Sequence, residues 1–221
     1  MEKVVIFDMD GVIFDTENQI LNIWCYLAGK YGIEGIENVF YRSIGTDREE
    51  TRKIVLDSYG PDFPYDKFRQ ESSRLFRERA DREGIPVKAG VRELLPFLKI
   101  NGYRMGLASS TRYVVVREEL EGAGLFDFFE TVIGGDMVER SKPAPDIYLK
   151  ACEEMGVKPE SAYAIEDSKN GVRSAASAGL KVFLIPDLIE PDEEMRELAY
   201  EVYPDLIELR RQFFASITAS I

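Results

Sequence analysis

The 221 residues are 45% hydrophobic and 31% charged, the composition of a globular chain able to bury a sizeable core as one large domain or as a core with a smaller insert. A formal charge of -12 argues against a general nucleic-acid surface, and the absence of histidine excludes imidazole as base, nucleophile or metal ligand. No apolar run approaches the roughly 20 residues that span a bilayer, and the opening MEKVVIF lacks the zones of a signal peptide, so a cytoplasmic protein without membrane contact is expected.

In chain order, residues 3–7 form a short β-branched run that ends in Asp8 and Asp10, two acids at the tip of an apolar strand. From Thr16 to Glu83 no convincing strand appears. Thr16 with Gln19 and Thr46 with Glu49 fit capping boxes, and Ile20, Trp24, Leu27, Ala28 and Tyr31 make one apolar stripe, read as the core of a small helical insert. Cys25 and Cys152 form no CxxC pair and are expected to be buried apolar filler. EGIPVKAG returns the chain to the main domain, with hinges expected near 14–16 and 86–90.

Strands are predicted at 103–108, 131–133, 162–165 and 181–185, alternating with helices at 91–101, 112–122, 146–155 and 171–178. Pro96 falls inside the first of these helices, where it should cost a hydrogen bond and kink it. The strands are apolar enough to be covered on both faces, and the helices suit right-handed crossovers. The fold class is therefore α/β, a doubly wound, Rossmann-like parallel sheet over 1–15 and 87–221, with an inserted small α-helical domain over 16–86. The stretch from Asp192 reads as helices covering a sheet edge, with Leu206, Leu209 and Phe213 at helical spacing and fraying beyond Ser216.

In such a sheet the ligand site lies beyond the carboxyl ends of the strands. Those ends deliver Asp8 and Asp10, then Ser109 and Ser110, then Glu166 and Asp167, with Lys142 before the helix that follows the third strand. Two unit charges about 4 Å apart at an effective dielectric near 20 repel by roughly 4 kcal/mol, so this cluster calls for a cation or shifted pKa values. Oxygen donors without histidine favour a hard ion, Mg²⁺ above all, with something negatively charged beside it. Each motif alone has a plainer reading: D-x-D-G as a solvated turn, Ser109 as a helix cap, Lys142 as a surface lysine, Glu166 and Asp167 as acids of a first helical turn.

DMDGV, LASST, RSKPAPDIY and EDSKNG, in that order, resemble the four motifs of the haloacid dehalogenase superfamily of phosphohydrolases. Over roughly residues 3–185 the chain is similar to the β-phosphoglucomutase and phosphoglycolate phosphatase branch, whose helical cap follows the first motif. The resemblance implies Asp8 as nucleophile forming an aspartyl-phosphate, and Asp10 as general acid and base whose carbonyl helps hold the metal. It implies Asp8, Asp167 and Glu166 around Mg²⁺, the last directly or through water. Ser109 and the amide of Ser110 would bind phosphoryl oxygens, and Lys142 would neutralise charge on Asp8. Lys142–Pro143 is a candidate cis peptide.

In the cap, Arg48 of GTDREE falls where a mutase arginine meets a distal phosphate, while Arg74 and Arg77 are weaker candidates. Thr16 belongs to a DTE shared with sugar-phosphate phosphatases of the branch. Mutases carry a histidine soon after the first motif, where this chain has Ile20. The expectation is a Mg²⁺-dependent phosphatase for a small phosphorylated metabolite such as a sugar phosphate, monomeric by default, with a lid closing over the substrate. A phosphomutase is the nearest alternative. A non-catalytic phospho-receiver, from another class, is disfavoured by Asp10 and the cap.

Overall fold

The structure, a computed structural model, describes residues 3–46 and 48–214. The chain divides into two compact units, Met1–Asp15 with Pro86–Ile221, and Thr16–Ile85.

The first unit is built on six parallel strands: β1 (Val4–Phe7), β2 (Arg104–Ala108), β3 (Thr131–Ile133), β4 (Ala162–Glu166), β5 (Lys181–Leu184) and β6 (Glu201–Val202), in the order β3-β2-β1-β4-β5-β6. All four residues of β1 are fully buried, and β2 and β4 flank it, Val4 pairing with both Arg104 and Ala162. Strand order reverses on either side of β1. Its carboxyl end is thus the topological switch point, and Asp8 is the first residue beyond it.

The second unit contains α1 (Thr16–Tyr31), α2 (Ile36–Ser43), α3 (Arg48–Tyr59) and α4 (Tyr65–Glu83). The middle of the stripe read from the sequence lies in its core: Trp24, Leu27 and Ala28 are buried together with Ile23, whereas Ile20 and Tyr31 are only half-buried, and the Trp24 ring meets Phe40 and the fully buried Phe68 edge-on, each at 5.2 Å. Two expectations need correction here. Thr16 is the first helical residue rather than a cap, its hydroxyl buried without a hydrogen-bond partner, while Gln19 accepts from Arg79. Cys25 is half-buried beside Glu37, not core filler, because it sits on the flank of the stripe; Cys152 is buried.

In the first unit, α5 (Val91–Ile100), α6 (Tyr113–Ala123), α7 (Asp146–Met155), α8 (Lys169–Ala178), α9 (Glu193–Leu198) and α10 (Leu206–Leu209) accompany the sheet. The α5 helix continues through Pro96, with Leu94, Leu95 and Leu98 fully buried. Gly106 of β2 admits Met155 of α7, whose sulfur would lie 2.9 Å from any Cβ there. The chain segments leading out of and back into this unit pair with each other: Asp15 N donates to Pro86 O and Lys88 N to Ile13 O, while the Lys88 side chain is ion-paired to Asp187.

The helix-only reading of the last stretch is incomplete. Residues 201–202 join the sheet edge, because Tyr200, Val202 and Tyr203 suit a pleated surface better than a helix. The Phe183 ring beneath them lies within 6.0 Å of those of Tyr163, Tyr200, Tyr203, Phe213 and Phe214. The expected fraying beyond Ser216 lies outside the described residues. Among the described residues, no helix is long and apolar enough to cross a membrane.

Candidate active site

Asp8 leaves β1 with its amide bonded to Ile165 O of β4, which holds the carboxylate at the switch point with 7% of the residue exposed. Lys142 Nζ reaches Asp8 Oδ1 at 2.5 Å, Glu166 Oε1 at 2.7 Å and Ala108 O at 3.1 Å, so its three N–H groups meet three acceptors. Burial opposes a charged ammonium, yet the two carboxylates outweigh it and hold Lys142 well above its ordinary pKa. Burial pushes Asp8 up to about 7, against the pull of Lys142 and with the help of Glu166 and Asp10. The Lys142–Pro143 peptide is cis.

Glu166, fully buried at the end of β4, accepts from Tyr148 Oη at 2.6 Å as well as from Lys142. Its second oxygen accepts from Asp167 N at 3.2 Å and Ser168 Oγ at 3.3 Å. Gly171 lets the first turn of α8 lie against it, since a Cβ there would be 1.9 Å from Glu166 Oε2. Tyr148 was missed in the sequence, where it reads as one more apolar residue of α7. The signal was its phenol, because a buried hydroxyl needs a partner.

Asp8, Glu166 and Asp167 each place a carboxylate oxygen within 4.8 Å of the others. Gly11, at φ +81°, makes room for this: a Cβ would fall 2.0 Å from Asp167 Oδ2. Three carboxylates against one ammonium leave net negative charge in a desolvated setting, and hard oxygen donors of this kind fit Mg²⁺.

Asp10 is half-buried, and its Oδ2 accepts from Thr111 Oγ1 at 3.2 Å. Ser109, fully buried, accepts from Thr111 N at 3.0 Å, which leaves its own hydroxyl hydrogen to donate; Ser110 is exposed. Gly134 and Gly135 let the loop after β3 pack backbone against backbone here, as added Cβ atoms would lie 2.3 Å from Tyr113 N and 2.2 Å from Ser110 O. Glu119 of α6 is pushed up to about 7 by burial and by the charges of Asp10 and Glu118.

The helical unit holds the other two candidates. Thr16 is buried, and Arg48 is 61% exposed with its guanidinium 3.7 Å from Asp66, which also pairs with Arg52 at 2.8 Å. Arg74 pairs with Glu78 along α4.

The family model for haloacid dehalogenase-like hydrolases matches residues 5–185. The phosphorylated carbohydrates phosphatase of Thermotoga maritima is 34% identical over 183 residues, 81% of this chain and 82% of that relative. The beta-phosphoglucomutase of Bacillus subtilis is 30% identical over 185 residues, 80% of each chain. A crystal structure of a variant of CbbY from Rhodobacter sphaeroides, in complex with xylulose-(1,5)bisphosphate, matches with a TM-score of 0.72 over 95% of this chain and 96% of that one, at 26% identity. Likeness of this extent, in sequence and in fold, makes the chain a member of the haloacid dehalogenase-like hydrolase family and a phosphohydrolase.

Proposed function

We propose that the protein is a Mg²⁺-dependent phosphatase that hydrolyses a small phosphorylated carbohydrate through an aspartyl-phosphate on Asp8. The observation that carries this reading is the buried Lys142 ammonium shared between Asp8 and Glu166, with Asp10 held two residues from the nucleophile. The names of the Thermotoga and Bacillus relatives support the substrate class.

Asp8 and Asp167, with the Asp10 carbonyl, would hold the metal, while Glu166, whose oxygens already accept from Lys142, Tyr148 and the turn after β4, would stand behind them. When bound, Mg²⁺ offsets the negative charge of the carboxylates and the phosphoryl group. In the first step an Asp8 oxygen bonds to phosphorus, the ester P–O bond breaks, and Asp10 gives its proton to the leaving oxygen. In the second, water attacks phosphorus, Asp10 takes its proton, and the bond to Asp8 breaks, releasing phosphate and restoring the carboxylate. Lys142 fixes the orientation of Asp8 and compensates its charge, while the Ser109 hydroxyl and the Ser110 amide donate to phosphoryl oxygens.

Phosphate release from a panel of sugar phosphates and glycerol phosphate, with and without Mg²⁺, tests the reading for the wild type and Asp8→Asn. Metal-dependent release that is lost in the variant is expected. The likeness to a beta-phosphoglucomutase favours a mutase as second reading, and isomer interconversion without phosphate release is its signature. Stoichiometric phosphorylation that persists without turnover is the receiver's.

A further inference from the structure

Thr111 has no role in the scheme above, yet its side chain is directed at the residue that must carry the proton in both steps. We propose that Thr111 is the positioning residue for Asp10, its hydroxyl fixing the carboxylate in the orientation from which Asp10 protonates the leaving oxygen and later deprotonates water. The inference rests on the phosphatase reading.

Thr111 Oγ1 donates to Asp10 Oδ2 at 3.2 Å, a contact that restrains the rotation of the carboxylate. A hydroxyl keeps this contact in both protonation states of Asp10, because Oδ2 remains an acceptor when the proton sits on Oδ1. The hydroxyl is itself well placed. Thr111 N donates to Ser109 Oγ at 3.0 Å, and Gly135 N donates to Thr111 O at 2.9 Å. On the next residues, Tyr113 N donates to Asp136 Oδ1 at 2.8 Å. The loop after β2 is therefore clamped by the loop after β3, and a β-branched side chain on so fixed a backbone has few χ1 choices. Supporting contacts of this kind keep a reacting group within the narrow geometry that proton transfer requires.

The chemistry supplies a readout that mere structural support would not move. A sugar alkoxide leaves only with a proton, whereas para-nitrophenolate leaves without one, so misplacing Asp10 penalises the first substrate and spares kcat/KM for the second. Dephosphorylation needs Asp10 with either substrate, so kcat falls for both. The experiment measures kcat/KM and pre-steady-state kinetics for the wild type, Thr111→Val and Thr111→Ser. The substrates are para-nitrophenyl phosphate and the sugar phosphate that ranks first in the panel.

For Thr111→Val, kcat/KM is expected to fall about tenfold on the sugar phosphate and less than threefold on para-nitrophenyl phosphate, a differential of about 0.7–1.4 kcal/mol. A burst of nitrophenolate stoichiometric with enzyme should precede its slower steady state, and Thr111→Ser should restore wild-type values. Equal losses of kcat/KM on the two substrates, no loss on either, or no recovery with serine would overturn the assignment. A wild type that hydrolyses neither substrate removes the phosphatase reading itself, an outcome distinct from any behaviour of the variants.

Discussion

Tyr148 Oη donates to Glu166 Oε1 over 2.6 Å, and neither residue is reached by solvent. Burial and the charge of Glu166 keep the phenol far above its ordinary pKa, so it remains a neutral donor. Glu166 thereby divides its negative charge between the phenol and Lys142, and Lys142 is left to serve Asp8 as well. Tyr148→Phe is expected to cost about 1.5–3 kcal/mol in urea unfolding, the range for a hydrogen bond to a charged group. A further shift of about 1 kcal/mol in the pull on Lys142 would slow phosphate release about fivefold. Full stability and full activity would mean that the phenol only fills space.

Lys142→Met leaves the buried carboxylates of Asp8 and Glu166 facing each other without the ammonium between them. Breaking a buried pair in this way costs about 3–5 kcal/mol. Circular dichroism should show a folded but less stable protein, and phosphate release should fall by about 10² or more as charge stabilisation is lost. Lys142→Arg should not restore it, since a planar fork cannot reproduce three N–H contacts to Asp8, Glu166 and Ala108 O. Activity in the arginine variant comparable to wild type would contradict this geometry.

Glu119 predicts a pH dependence. Its folded pKa of about 7 lies above the ordinary 4.5, so between these values the folded protein holds a proton that the unfolded chain has released. Stability therefore declines as pH rises through that window, and above it the ionised carboxylate is a net cost. Solvent still reaches this half-buried side chain and screens the effect, leaving on the order of 1 kcal/mol. Glu119→Gln should melt about 2–4 °C above wild type at pH 8 and with it at pH 4. A constant difference across that range would reject the assignment.

Metal dependence is testable without turnover. Saturation at about 100 times the dissociation constant stabilises a protein by about 2.7 kcal/mol, so Mg²⁺ should raise the melting temperature of the wild type and chelator should reverse it. Asp167→Asn should abolish the rise. Gly11→Ala should weaken it, because the new Cβ would intrude on Asp167 Oδ2. An undiminished rise in Asp167→Asn would show that Mg²⁺ binds elsewhere.

Much of the core was legible because its signals are local. A run such as VVIF, apolar at every position, reads as a strand buried on both faces, and glycines and acids mark where it stops. The short edge strand at 201–202 was not legible, since two residues carry no periodicity and become a strand only by pairing with Phe183 and Leu184 of β5. Thr16 was misread as a cap for a related reason: the helix begins at that residue, one place earlier than the motif implies.

The site divides along the same line. Asp8, Asp10, Lys142, Glu166 and Asp167 could be named as candidates from sequence because four short motifs follow one another in order, and parallel strands bring their carboxyl ends, and the loops that leave them, to one edge of the sheet. Tyr148 and Thr111 were not singled out, since an aromatic residue in a helix and a threonine in a loop are commonplace. What distinguishes them is a single oxygen placed against a carboxylate, and that placement depends on how α7 and the loop after β2 are packed in three dimensions. Residue type and spacing determined which chemical groups this protein has at its disposal. Tertiary structure decided how their charges and protons are shared, because Coulomb energies and hydrogen bonds depend on ångström distances and burial that no linear pattern encodes.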